Sequence, residues 1–372
     1  MAGITVDQAI DLGYATLKNY EQDAVQIAMK HQTYEIVNRW FKSDKMQKQG
    51  GKSVTFDLSL KDTLNGKHVR MYDTDEPNVA NVTKEGTVDW THYQNSFSYS
   101  LKELAMNMGN RTRIFNLLKN RRLNCARETA DELEEVAWRT PASSADDLLP
   151  HGIPAWLVQA DSDNSTGDFV GYVGDYTTSA DSESAYATVA GLACSSTENA
   201  RWANYYHDHN DNIDQSLLKA LSKAFRKTNF QTPTVAGQSI DPESGFANFR
   251  MYTNNKILEE LEDLALSSDD RVGSDLGKYA GAVMYKNQPL IYVDSLDTER
   301  TYVYGANPIF GVNHNHFYPM TLANESFRWN KPMNKVGQHN VFTVYLDLSY
   351  AYLCDNRRSG GFLISDWEGA NQ

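Results

Sequence analysis

The stretch "NRTRIFNLLKNRRLNCARETADELEEVAWRTP", residues 110–141, contains no glycine, and its one proline is its last residue. Ile114, Leu117, Leu118, Ala126, Ala130, Leu133, Val136 and Ala137 recur mostly at three- or four-residue spacing, which predicts one amphipathic helix over 110–139. At ~1.5 Å per residue such a helix runs roughly 45 Å. Its first half carries Arg111, Arg113, Arg121 and Arg122, and its second half is acidic, with Glu134 and Glu135 near the end. This is the reverse of what the helix macrodipole favours, so these charges call for partners in the tertiary structure or across an interface.

Immediately upstream, "TVDWTHYQNSFSYS" (87–100) reads as a strand carrying Trp90, Tyr93, Phe97 and Tyr99. Before it, in "GGKSVTFDLSLKDTLNGKHVRMYD" (50–73), Val54, Phe56, Leu58 and Leu60 alternate with polar residues, and Asn65-Gly66 supplies the positive φ of a tight turn. That pattern predicts a β-hairpin. A lone hairpin is marginal in water, so its apolar face must lie on something, and the polar link "DTDEPNVANVTKEG" (73–86) allows it to project from its own core. Residues 5–41 read as interrupted helices.

Downstream, 142–205 is rich in Ser, Asp, Gly and Thr, which predicts long loops with short strands. Helices follow at 213–228, with Ile213, Leu217, Leu221 and Phe225 on one face, and at 254–268, with Ile257, Leu258, Leu261 and Leu264. "YAGAVMYKNQPLIYVDSL" (279–296) reads as strands. "NVFTVYLDLSYAYLCDNRRSGGFLIS" (340–365) reads as a long strand, a turn and a short return strand. No internal repeat is present.

Bulk properties narrow the function. A chain of 372 residues is long enough for two or more subdomains. A net charge of −13 without a basic run argues against a protein that grips nucleic acid through a basic face. Cys125, Cys194 and Cys354 are far apart and odd in number, against a disulfide framework or a thiolate metal site. No apolar run approaches the roughly 18 residues of a membrane span. Twenty-one tyrosines and seven tryptophans in a chain of mean hydropathy −0.57 suit extensive protein interfaces.

Two H-x-H pairs are the main candidates for chemistry: His207 and His209 in "YYHDHNDNID" (205–214), and His314 and His316 in "GVNHNHFYP" (311–319). If the pairs met, they would suit a metal-dependent hydrolase. The first pair, however, precedes a helix for which Asp211 and Asn212 are natural caps, and the second lacks a nearby glutamate. "GGKS" (50–53) lacks the first glycine of a phosphate loop, having Met46 there. Cys125 lies within the long helix as a structural thiol. The residues therefore predict no enzyme, cofactor or metal.

The order of N-terminal arm, projecting hairpin, aromatic strand, long helix, loop-rich middle and long terminal strand resembles the major capsid protein of tailed double-stranded DNA bacteriophages, the Hong Kong ninety-seven fold. The blocks "RWANYYHDHN" (201–210), "FQTP" (230–233), "GANPIFGVNHNHFYP" (305–319) and "GQHNVFTVYLDLSYAYLCDNRR" (337–358) add to the likeness. The resemblance implies an α+β fold with an N-arm at 1–44 and an extended β-hairpin loop at 45–86. It implies a peripheral domain at 87–144 and 326–372 with its spine helix at 110–139, and an axial domain at 145–325.

The resemblance further implies self-assembly through pentamers and hexamers into an icosahedral shell, made in the host cytoplasm, that encloses the genome in the virion without sequence-specific binding. Its expected partners are copies of itself, a portal protein, scaffolding and decoration proteins, and no membrane. The subunit-interface candidates are Val54, Phe56, Leu58, Leu60, Asn65, Gly66, Arg113, Arg121, Arg122, Glu134 and Glu135, with Arg357 and Arg358 as further basic contacts. An encapsulin-like nanocompartment shell of the same fold is the alternative within this class.

Overall fold

The computed structural model describes residues 34–42, 45–61, 67–71, 82–106, 111–141, 148–159, 169–174, 188–193, 199–209, 213–230, 248–267, 276–279, 282–286, 288–297, 304–335 and 337–366. Its strands are β1 (Gln47–Gln49), β2 (Ser53–Ser59), β3 (Thr83–Asp89), β4 (Thr91–Ser100), β5 (Val170–Val173), β6 (Asn204–Asp208), β7 (Phe249–Thr253), β8 (Leu276–Tyr279), β9 (Ala282–Tyr285), β10 (Gln288–Tyr292), β11 (Ala306–Asn313), β12 (Phe317–Leu322), β13 (Arg328–Trp329), β14 (Met333–Lys335), β15 (Gln338–Cys354) and β16 (Gly361–Asp366). Its helices are α1 (Glu35–Trp40), α2 (Leu101–Met106), α3 (Arg111–Ala137), α4 (Ile153–Trp156), α5 (Gln215–Thr228), α6 (Asn255–Ser267) and α7 (Arg357–Gly360). The long helix expected over 110–139 is α3.

One sheet is built on β15. Leu346 pairs with Asn95 of β4 and also with Trp329 of β13, so β4 runs along one edge of β15 while β12, β13 and β14 follow one another along the other. β1 adds in parallel beyond β12. Phe97, Tyr99, Phe342 and Val344 from β4 and β15 pack with Leu118 and Cys125 of α3. This is how the amphipathic stripe of α3 is used.

The second sheet has the order β5-β6-β16-β11-β7-β10-β9-β8. Side chains alternate across a strand, and here both faces are buried. Tyr205, Ile309, Met251, Phe362 and Ile364 face one cluster with Leu217, Leu221 and Phe225 of α5 and Leu261 of α6. Their neighbours Tyr206, Phe310, Tyr252 and Leu363 face another cluster, which holds Trp40 of α1, Trp138, Trp156 and the end of β15. Asp214 caps α5 by accepting from the Ser216 N–H at 2.6 Å. The expected caps Asp211 and Asn212 lie outside the described residues.

Four expectations are corrected. β2 is a strand as expected, but its partner is β3, in register from Ser53↔Asp89 to Ser59↔Thr83, and residues 67–71 belong to no strand. Val54 and Val88 are directly paired and both buried, and Phe56 closes over Gly86, where an added Cβ would lie 2.7 Å from the ring. The 82–89 segment offers this match and 67–71 does not. The turn expected at Asn65-Gly66 lies outside the described residues. The strand expected over 87–100 breaks at Trp90 into β3 and β4, which join different sheets; the Trp90 indole donates to Gly51 O at 3.1 Å.

"YYHD" (205–208), expected only as part of the approach to a helix, lies in β6, with Tyr205 and Tyr206 each 1% exposed. Finally, β16 does not return along β15. It crosses into the second sheet, parallel to β6 and antiparallel to β11. Conversely, β12, at 317–322, joins the first sheet rather than the second.

The crossing of β16 is tight. An added Cβ on Gly361 would fall 2.0 Å from Gly311 O and 3.0 Å from Leu157 Cδ1. The obstacle is backbone, which cannot rotate away. Gly361→Ala is expected to lower unfolding free energy by at least about 2 kcal/mol, at the upper part of the usual overpacking range. The shift in denaturant midpoint at unchanged slope measures it.

Candidate functional site

The two sheets meet at a buried polar joint. Trp40, at the end of α1, donates its indole N–H to His314 Nδ1 at 2.9 Å, and His314 Nε2 lies 2.7 Å from the Tyr252 hydroxyl. An indole nitrogen only donates, so Nδ1 is the bare nitrogen, and the neutral ring presents Nε2–H to Tyr252. Burial, with Arg39, Lys45 and Arg250 nearby, holds the His314 pKa well below the usual histidine range and keeps the ring neutral. Trp40 also stacks on Phe317 and packs against Tyr352 of β15, whose hydroxyl donates to Leu133 O of α3 at 3.0 Å.

Glu134 completes the joint from α3. It is fully buried and accepts from the Ile36 N–H at 3.0 Å, the Val37 N–H at 2.9 Å and the Trp138 indole at 3.3 Å. The carboxylate thus serves the otherwise unpaired first-turn donors of α1. Asp131 takes the Tyr34 hydroxyl proton in a hydrogen bond, and Glu135 pairs with Arg139. Asp131, Glu134 and Glu135 of the acidic half of α3 are therefore partnered within the chain. Burial outweighs these donors and raises the Glu134 pKa from 4.5 to about 7.

A second anchor lies at the start of α7. Arg357 is fully buried, with Nε donating to Trp156 O at 2.8 Å and the terminal nitrogens to Gly174 O at 2.7 Å, Trp202 O at 2.9 Å and Asn204 Oδ1 at 3.0 Å. Asn204 in turn exchanges hydrogen bonds with the backbone of Val158. One guanidinium thereby ties α4, the exit of β5 and the entrance of β6 to the turn that sends β16 across. Arg358 stacks over Tyr172 at 4.3 Å. The expectation that Arg357 contacts an acidic neighbour is corrected, because the side chain is buried and donates to backbone and amide carbonyls of its own chain.

The other interface candidates fall in three groups. Val54, Leu58 and Leu60 are buried in the subunit's own core, and Phe56 packs near Trp156 and Trp202 at 6.5 and 6.3 Å. Arg121 pairs with Glu103 at 2.8 Å and donates to Ser98 O, while Arg122 sits 5.0 Å above Trp329. Asn65, Gly66 and the side chain of Arg113 lie outside the described residues. Val69 and Met71, which sequence reading did not select, are 55% and 88% exposed. Their alternation with His68 and Arg70 was the available signal, and it was absorbed into the hairpin expectation.

The two H-x-H pairs do not meet. His207 pairs with Ile364 and Ile364 with Ile309, so the first pair lies two strands from β11 and some 15 Å along it from His314. Both His314 nitrogens are engaged by Trp40 and Tyr252. Among the described residues, no group of three or more His, Cys, Asp or Glu side chains is arranged to hold a metal.

Two outcomes follow from the anchors. Arg357→Leu strands several buried carbonyls at about 1–3 kcal/mol each, so a loss above about 3 kcal/mol is expected in denaturant melts, with Arg357→Lys recovering less than half. For Glu134, the folded pKa of about 7 exceeds the ordinary 4.5, so the fold binds the proton more tightly. Its stabilising contribution is fully present below pH 4.5 and is lost as pH rises through 7. Between pH 5 and 8 the stability difference between wild type and Glu134→Gln should change by on the order of 3 kcal/mol, measured by urea unfolding at each pH.

No family model and no curated protein matches the chain. Among solved structures, it is similar to a chain of the cyanophage A-1(L) capsid asymmetric unit, at 12% identity and a TM-score of 0.57, covering 94% of this chain and 97% of that one. A chain of Microbacterium phage Oxtober96 matches at 11% identity and a TM-score of 0.49, covering 98% and 100%. The likeness to the cyanophage chain is one of fold: the chain has the α+β fold of a phage capsid chain.

Proposed function

We propose that the chain is a major capsid protein that assembles through pentamers and hexamers into an icosahedral shell around packaged double-stranded DNA. The observation that carries this reading is the fold match to the cyanophage A-1(L) capsid chain over 94% of one chain and 97% of the other. The role is structural. The N-arm is 1–44 and the extended loop 45–86. The peripheral domain is 87–144 and 326–372, less β16 and its turn. The axial domain is 145–325, less β12, with β16 added.

The hairpin residues Val54, Leu58 and Leu60 fix the base of the extended loop to its own subunit, and Val69 and Met71 beyond them reach a neighbour. Modest contacts suffice, because closed symmetry repeats each interface many times. A net charge of −13 suits a wall that confines a duplex without gripping its sequence. Portal, scaffolding and decoration proteins are the expected partners, in a particle assembled in the host cytoplasm.

Size-exclusion chromatography and negative-stain microscopy of the expressed chain test the proposal. Rings or shells of megadalton size are expected. A strictly monomeric protein at all concentrations, including with the cognate scaffolding supplied, sinks it. Recovered shells filled with an enzyme cargo and no DNA in infected cells would move the reading to a nanocompartment.

A further inference from the structure

One side-chain constellation plays no part in the joint, the anchor or the proposed shell contacts. His316, in the turn between β11 and β12, places Nδ1 2.7 Å from Asp355 Oδ1 and Nε2 2.9 Å from Ser359 Oγ. A carboxylate only accepts, so Nδ1 carries a proton, and in the neutral tautomer this leaves the lone pair on Nε2 facing the serine hydroxyl. The order acid, imidazole, hydroxyl, with each ring nitrogen on the required side, is that of an activated serine nucleophile.

The three residues are held by the backbone rather than by chance side-chain contact. Asp355 N–H donates to His316 O at 3.2 Å, and His316 N–H donates to Asn313 O at 3.0 Å. Asn313 also donates through Nδ2 to Ser359 O at 3.1 Å. Asn356 accepts from the N–H groups of Arg358 and Ser359 at 3.1 and 3.3 Å, fixing the turn that carries the serine. Gly360 permits the close approach: an added Cβ would lie 2.9 Å from Cys354 Sγ and 3.3 Å from the Phe317 ring.

The constellation is reachable. His316, Asp355 and Ser359 line one cavity of about 640 Å3, together with Arg201, Lys227 and Arg358. The side chains of His316 and Asp355 are 29% and 43% exposed. The volume admits a small acyl group, and the three cations, set against the carboxylates of Asp57 and Asp355, favour a substrate or intermediate that carries negative charge on oxygen.

We propose that Ser359 is a nucleophile, with His316 its general base and Asp355 the positioning residue, reacting with small carboxylic esters. Ser359 Oγ bonds to the ester carbonyl carbon as its proton passes to His316 Nε2. The carbon–oxygen bond to the alcohol then breaks, and His316 returns the proton to the departing alcohol oxygen. Water, deprotonated by His316, attacks the acyl-serine and releases the carboxylic acid, restoring Ser359. No oxidant or reductant enters.

The first arm of the test uses the unmodified full-length chain and needs no particle assembly; the second compares it with folded variants. Incubation with a fluorophosphonate, followed by peptide mass spectrometry, should place the adduct on Ser359 ahead of the chain's other serines, and 4-nitrophenyl acetate should show a burst of nitrophenol. His316→Gln should slow labelling by at least about a hundredfold, the lower end of what a general base contributes, with Asp355→Asn intermediate. No adduct at Ser359 under conditions that label chymotrypsin overturns the proposal. So does labelling whose rate is unchanged in His316→Gln, which would leave the three residues as a purely structural brace of the turn.

Discussion

Among the described residues, the meeting of the two sheets is organised by the hydrogen bond between the Trp40 indole and His314. Hydrophobic burial is strong but non-directional, and the aromatic residues where the sheets meet would tolerate several packings. A buried indole N–H and a buried imidazole would not. Each group left without a partner costs about 1–3 kcal/mol, so a slide of one sheet against the other that parts Trp40 from His314, or His314 from Tyr252, is penalised at several atoms together. Glu134 applies the same constraint to α1, because its carboxylate satisfies the first-turn donors that Ile36 and Val37 would otherwise bury alone. The polar contacts therefore select the arrangement that the apolar contacts stabilise.

That selection gives α3 a role beyond length. One end packs with β4 and β15 through Leu118 and Cys125, while the other delivers Glu134 to α1 and Trp138 to the second sheet, where its ring meets Tyr252 at 4.9 Å and Phe310 at 5.9 Å. The helix is a strut between two sheets. Arg357 performs the complementary task for the chain's end. It gathers backbone carbonyls from Trp156, Gly174 and Trp202, so that β16 leaves the first sheet in one defined direction.

What the sequence disclosed follows from which forces are local. α3, α5 and α6 were legible because a helical period depends only on near neighbours, and β2 and β15 because alternation does too. The partner of β2 was not, since strand pairing depends on distant residues; the signal for it, a glycine at 86 able to receive the Phe56 ring, has meaning only once the two segments are side by side. Asn65-Gly66 favoured a nearer return strand that the packing does not use. Arg357 was misread because charge ordinarily marks surface, and four oxygen partners drawn from Trp156 to Asn204 leave no local pattern. The Ser359, His316 and Asp355 arrangement was hidden for the same reason, with His316 separated from both partners by the whole of β12 and β15.

Anchoring the apolar face of β2 within the subunit changes what its assembly contacts can be made of. The outward face of the β2–β3 ribbon carries Asp57, Ser59, Thr83, Glu85, Thr87 and Asp89, all exposed. Asp57 stands directly opposite Glu85, and like charges opposite each other across a ribbon repel. A neighbour that brings basic groups to this face relieves that repulsion as it binds, whereas an apolar neighbour would bury it. A contact of that kind is weak singly, sensitive to salt and specific in sign.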